Sequence, residues 1–277
     1  MWKKIVQTAE YLKNRTRTRP VTGIILGTGL GSLAEEIGQS ETVPYQGIPN
    51  FPVATVEGHS GNLIFGELCG LPVVVMQGRF HYYEGHSMQQ VTFPIRVLKS
   101  LGIRQIFISN AAGGINPGFR TGDLMVIRDH INFFPDNPLR GPNLDEMGTR
   151  FPDMSAVYDP TLIDLAGQVA HELGITLRTG VYVGNPGPSF ETPAEYTHYR
   201  IIGGDAIGMS TIPEVIVARH MELPVFAVSV ITNVAVAGHF TENTHEDVLS
   251  VAGKAGRDLV LLLKGVLNRS PYSFDNA

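Results

Sequence analysis

The residues of this chain best suited to chemistry cluster where apolar runs end. Gln77-Gly78-Arg79-Phe80-His81 follows one such run. The planar guanidinium of Arg79 offers a fork of donors matched to phosphate, and His81 offers another. Gly27-Thr28-Gly29-Leu30-Gly31 follows a second run, where glycines let backbone N–H groups approach an anion and Thr28 adds a hydroxyl. Asn110-Ala111-Ala112-Gly113-Gly114 puts small residues at a third, so that backbone N–H groups such as that of Ala111 can face an anion. Ser210, in Gly208-Met209-Ser210-Thr211, can donate to phosphate or cap the helix that follows. Taken singly, the first glycine loop, Arg79 and His81 read more readily as turns and an ion pair, and residues 110–114 read also as close packing of strand on helix. Taken together, several neutral donors and one arginine describe a site for a small exchangeable phosphate held without magnesium.

Other ligand patterns fit less well. The first loop lacks the Gly-Lys-Ser/Thr ending of a nucleoside triphosphate loop, and Ser32 stands where a dinucleotide fingerprint has its third glycine. His59, His81 and His86 lie in loop-like stretches with no acid–histidine helix motif, so no metal site is expected. Glu191 precedes Thr192-Pro193 at the start of a helical pattern, where an acid suits the helix dipole. Asn233 ends an apolar run and reads as a turn residue. Residue chemistry alone weighs both toward structure.

Strands and helices must gather these loops. Apolar runs over 21–26, 63–68, 72–77, 106–109, 179–183 and 225–231 read as strands, the second and third joined by a tight turn at Cys69-Gly70. Helical patterns cover 2–13, 87–101, 161–173, 193–202, 213–221 and about 245–268, with a kink expected at Pro94 because proline lacks the N–H donor. The stretch 132–153, rich in Pro, Asn, Gly and Asp, reads as an extended surface loop. With no linker, repeat or low-complexity tract, the pattern predicts one α/β domain over residues 1–277, a central mixed β-sheet flanked by helices. Ligands of such sheets bind at loops beyond the carboxyl ends of the strands.

Bulk properties narrow the function classes. At 277 residues with 43% hydrophobic and 17% charged residues, the chain can build a core without disulfides. A net charge of -5 argues against a nucleic-acid binder, so an anionic ligand must be held by local groups. The single cysteine, Cys69, excludes an internal disulfide framework and a multi-thiolate zinc site, and its surroundings predict a small buried hydrophobe. No apolar stretch is long enough for a bilayer and the N-terminus carries no signal-like run, so a soluble, cytoplasmic protein without membrane partners is expected.

In their order along the chain these motifs, with Gly187-Pro188-Ser189-Phe190-Glu191-Thr192 and Ile231-Thr232-Asn233, resemble the trimeric purine nucleoside phosphorylases. The resemblance implies a homotrimer that cleaves 6-oxopurine nucleosides such as inosine and guanosine. Inorganic phosphate is the co-substrate, no cofactor is needed, and the products are the free base and α-ribose 1-phosphate, with inversion. Carried over by position, Thr28, His59, Arg79, His81, the Ala111 backbone and Ser210 are expected to hold phosphate. The family more often has serine where this chain has Thr28. Tyr83, Met209 and His245 match ribose contacts, and Phe151 matches an aromatic that closes the sugar pocket of a neighbouring subunit. Tyr182 and Phe190 match the purine wall, with Glu191 and Asn233 gripping the base; Asn233, Glu191 and His81 are the expected catalytic residues. Methylthioadenosine phosphorylases, which share the fold, typically carry aspartate at the base and threonine after the methionine; Asn233 and Ser210 differ from both.

Overall fold

The computed structural model describes residues 1–28, 31–52, 61–235 and 244–274; of His245 it describes the backbone alone. The elements in chain order are α1 (Trp2–Arg15), β1 (Thr22–Leu26), β2 (Gly38–Pro44), β3 (Asn62–Leu68), β4 (Leu71–Gln77), α2 (Met88–Leu101), β5 (Gln105–Gly114) and β6 (Leu124–Asn132). They continue with α3 (Pro160–Leu173), β7 (Leu177–Gly184), α4 (Pro193–Ile201), β8 (Ala206–Gly208), α5 (Ile212–His220), β9 (Val225–Val234) and α6 (His245–Arg269).

Strand order in the sheet is β2-β3-β4-β1-β5-β8-β7-β6-β9, and β5 also pairs with β9. The sheet therefore closes on itself through the circuit β5-β8-β7-β6-β9. β1 is parallel to both β4 and β5, and β5 is parallel to β9. The carboxyl ends of β4, β1, β5 and β9 consequently point the same way, as a loop-built site requires. β1 is buried at all five positions, because helices cover both faces of a parallel strand. One core packs Ile5 and Leu12 of α1, Phe93 and Leu98 of α2 and Val215 of α5 against the sheet. A second packs Leu162 and Val169 of α3 with Leu259, Leu263 and Val266 of α6. At roughly 1.5–3 kcal/mol per buried aliphatic or aromatic side chain, these two layers dominate stability.

Several local expectations need correction. Three strands lie outside the expected set: β2 is a largely exposed edge strand, β8 is three residues long, and β6 is buried only over its first half, Leu124 to Ile127. Residues 110–114 continue β5 rather than forming a loop. After the first glycine loop the chain makes a 3₁₀ turn at Gly31–Glu36. α2 carries Pro94 in its interior and is started by Ser87, whose side chain accepts from the Gln90 N–H at 3.2 Å. Cys69 is exposed, not buried, because the β3–β4 turn holds it at φ +56°.

Candidate active site

Five strand ends open into one cavity of about 550 Å³. Glycine is required at two of its borders. A side chain at Gly27 would strike the backbone of Ser109 and Asn110 at 2.8 Å, and one at Gly208 would meet the Tyr182 hydroxyl at 2.5 Å. These close approaches bring Thr28 beside the end of β5, and Met209 and Ser210 beside Ala111.

The first polar group in the cavity is centred on Arg79, only 2% exposed. Its Nη2 donates to the Ser109 carbonyl, and its Nη1 donates to Thr211 Oγ1 at 3.1 Å and faces Glu214 Oε1 at 3.5 Å. Thr211 Oγ1 also accepts from Asn110 Nδ2 at 2.8 Å and lies 3.1 Å from Ser210 Oγ. Thr211 is fully buried at φ +73°, ψ -55°, and the Ile212 N–H bonds the Ser210 carbonyl across it at 2.8 Å. That is a γ-turn of the rare, strained hand. It makes Thr211, not Ser210, the N-cap of α5, so Ser210 is turned into the cavity rather than used as a cap.

His81 stacks on Tyr83 with ring centroids 4.6 Å apart. Its Nδ1 lies 3.1 Å from Glu84 Oε1, which also accepts from the His81 backbone N–H at 2.7 Å. Burial, helped by the Arg79 charge, holds the imidazole below its ordinary pKa against the opposite pull of Glu84 and Glu214. Tyr83 is pushed up to about 12, chiefly by burial, and stays a neutral hydroxyl.

The second polar group joins Glu191, Tyr196 and Asn233. Asn185 Nδ2 donates to Glu191 Oε1 at 3.1 Å. The Tyr196 hydroxyl interacts with both the Glu191 carboxylate and the Asn233 side chain. Asn233 Oδ1 accepts from Thr232 Oγ1 at 3.3 Å. Burial raises the Glu191 pKa above the ordinary carboxylate value. Thr192 takes the cap of α4, its side chain accepting from the Glu195 N–H at 3.3 Å, which leaves Glu191 outside the helix and facing the cavity.

Of the residues expected at the site, Thr28, Arg79, His81, Tyr83, Ala111, Phe190, Glu191, Met209, Ser210 and Asn233 all line this cavity. Tyr182 does not. It is fully buried behind Gly208, its hydroxyl accepting from the Ser210 N–H at 3.4 Å. It supports the wall instead of forming it. Phe151 lies on the surface, 86% exposed, with the Arg150 guanidinium 5.3 Å from its ring. His59 and the His245 side chain lie outside the described residues, as does the loop 238–244 apart from Thr244. Glu84, Tyr196 and Val248 line the cavity without having been expected there. Tyr196 falls in the first turn of α4, directly after the Glu191 segment, where by sequence it reads as a packing aromatic. Among the described residues no cluster of His, Cys, Asp or Glu could hold a metal.

A buried guanidinium and hydroxyl groups beside a carboxylate–amide pair, at the strand ends of a mixed α/β sheet, can hold a small oxyanion next to a polar base. The family model of the phosphorylase superfamily matches residues 22–268. The chain is 52% identical to purine nucleoside phosphorylase 1 of Geobacillus stearothermophilus over 95% of its own length and 96% of that relative. It superimposes with a TM-score of 0.93 on Schistosoma mansoni purine nucleoside phosphorylase in complex with inosine, at 44% identity over 97% of each chain. The same relative in complex with adenosine gives a TM-score of 0.92 at 45% identity, over 97% of this chain and 98% of that one. The chain belongs to the phosphorylase superfamily and, within it, to the purine nucleoside phosphorylases: it is an enzyme of purine nucleoside phosphorolysis.

Proposed function

We propose that the cavity holds inorganic phosphate on Arg79, Ser210, Thr28, His81 and the Ala111 N–H, and a 6-oxopurine nucleoside against Glu191 and Asn233. The observation that carries this reading is the joining of both polar groups in one cavity of about 550 Å³, large enough for a nucleoside and its attacking anion. Phosphate attacks C1′ as the C1′–N9 bond breaks, and the bonding pair leaves with the purine. Positive charge grows on the sugar, next to the anion; negative charge grows on the base, where Asn233 turns its amide from Tyr196 to N7. A donor placed where charge develops lowers the barrier without tightening the ground state. Glu191 accepts from the N1–H that a 6-oxopurine carries and adenine lacks. Direct attack inverts C1′ and gives α-ribose 1-phosphate. No step calls for a cofactor.

Met209 and Tyr83 flank the sugar, with His245 and His59 assigned to the ribose and phosphate by position. A second copy of the chain completes the pocket. Phe151, at 86% exposure, is a large apolar side chain in search of cover, and we assign the cover to the sugar pocket of an adjacent protomer in a homotrimer. The whole of 1–277 works as one domain, and the exposed thiol of Cys69 suits a reducing, cytoplasmic setting. The test is phosphate-dependent turnover of inosine, guanosine and adenosine with the sugar phosphate identified. Cleavage of the 6-oxopurines alone is expected. Equal turnover of adenosine would overturn the roles of Glu191 and Asn233.

A further inference from the structure

We propose that Glu84 fixes His81 in the tautomer that reads a proton on the bound anion, so that the site selects hydrogen-bearing oxyanions over sulfate. The inference rests on the phosphate reading above and specifies the chemical form of that substrate. Glu84 Oε1 accepts from the His81 backbone N–H at 2.7 Å and lies 3.1 Å from ring Nδ1. An ionised carboxylate only accepts, so Nδ1 must carry hydrogen, and a neutral ring then presents Nε2 as an acceptor. An anion reaching the ring meets Nε2. Two acceptors cannot bond without a proton between them. Hydrogen phosphate brings one as its P–OH; sulfate brings none, and binds only if the ring takes a second proton from solvent.

The surrounding charges set the same preference. Among the described residues, the charged groups facing the ring are Glu84 on its own segment, Arg79 at the end of β4 and Glu214 on α5. Arg79, Glu84 and Glu214 are each at most 3% exposed in their side chains. Glu214 Oε2 is buried with no hydrogen-bond partner among the described residues. Among the described residues, one guanidinium thus stands beside two buried carboxylates. A proton at the His81 contact relieves repulsion between those carboxylates and the anion. The depressed pKa of His81 keeps the ring neutral beforehand, so any ring proton that sulfate needs must be taken up on binding.

Calorimetric titration of the intact protein with sodium phosphate and with sodium sulfate tests this, at about pH 7, 7.5 and 8.5 and in buffers of different ionisation heat. Sulfate is expected to bind with uptake of about one proton, its affinity falling about tenfold per pH unit. Phosphate is expected to bind without that slope. In Glu84→Gln the amide can donate to Nδ1 or accept from it, releasing the tautomer, so the sulfate slope and proton uptake should shrink while phosphate still binds. Sulfate binding that is independent of pH and buffer in the wild-type protein, with phosphate bound, would overturn this inference alone. Absence of phosphate binding would overturn the phosphate reading itself. If Glu84→Gln does not fold, the wild-type titrations decide.

Discussion

Replacing Thr211 by valine should damage the phosphate site selectively. The change is nearly isosteric and removes one hydroxyl. That hydroxyl is the shared acceptor of Arg79 Nη1 at 3.1 Å and Asn110 Nδ2 at 2.8 Å. Arg79 keeps Glu214 at 3.5 Å, but Asn110 loses the acceptor of its amide. One buried donor stranded this way costs about 1–3 kcal/mol, and that is the loss expected. For a chain of this size that lowers Tm by roughly 2–12 °C. Arg79 and Ser210 both lean on the lost oxygen, so KM for phosphate should rise about tenfold, equivalent to roughly 1.4 kcal/mol. KM for inosine should stay nearly unchanged. Thr211→Ser keeps the oxygen and should restore both quantities. Thr211→Gly separates the two effects. It relieves the cost of holding a β-branched residue at φ +73°, about 1–3 kcal/mol, yet it still lacks the hydroxyl. It should recover stability without recovering phosphate KM. A folded Thr211→Val enzyme with unchanged phosphate KM would refute this account, as would a glycine variant that regains it.

The base-contacting pair gives sharper expectations. Asn233→Ala should lower inosine kcat about 10²–10³-fold, as loss of a transition-state donor does; a change below tenfold in single-turnover rates would remove Asn233 from that role. Burial raises the Glu191 pKa, so the protonated form, which no longer accepts from N1–H with both oxygens, appears at a higher pH than for an ordinary carboxylate. At saturating phosphate, kcat/KM for inosine should therefore fall on the acid side with an apparent pKa above the usual carboxylate range. Glu191→Gln should lower the rate and abolish that limb, and persistence of the limb in the variant would assign it elsewhere. Phe151→Ala should raise nucleoside KM while leaving the Tm of the protomer fold within about 2 °C, since so exposed a side chain contributes little to its own core. An unchanged KM in an assembled oligomer would separate Phe151 from the sugar pocket.

The fold was legible wherever burial wrote itself into the residues. β1, β4 and β9 are apolar runs because helices cover both faces of them, and α6 shows its stripe of Leu259, Leu263 and Val266 against the second core. β2 and β8 were not legible, for opposite reasons. β2 is an edge strand with polar outward positions, and β8 is a three-residue bridge whose pairing with β5 and β7 is decided by distant chain. Cys69 misled because an apolar neighbourhood predicts burial, while the turn geometry at φ +56° decides exposure.

At the site, the residues that present a donor or acceptor in a recognisable motif were legible, and those that hold such residues in place were not. Arg79 reads as a phosphate fork from its type and position, but nothing in the string of residues says that Thr211 and Glu214, more than 130 positions later, lock its guanidinium. Tyr196 was hidden by its helix: one turn into α4 it reads as a packing aromatic, and only the fold shows its hydroxyl joining Glu191 to Asn233. That contact has a consequence for catalysis. The side chain of Asn233 is already held by Tyr196 and Thr232 before the base enters, so nucleoside binding need not order a loose side chain. The amide turns to the departing purine as negative charge grows there, because a charged acceptor outcompetes a neutral hydroxyl. Tyr196→Phe should then lower kcat for inosine only several-fold but weaken discrimination between bases, since the amide would be free to rotate and present its oxygen where the donor belongs.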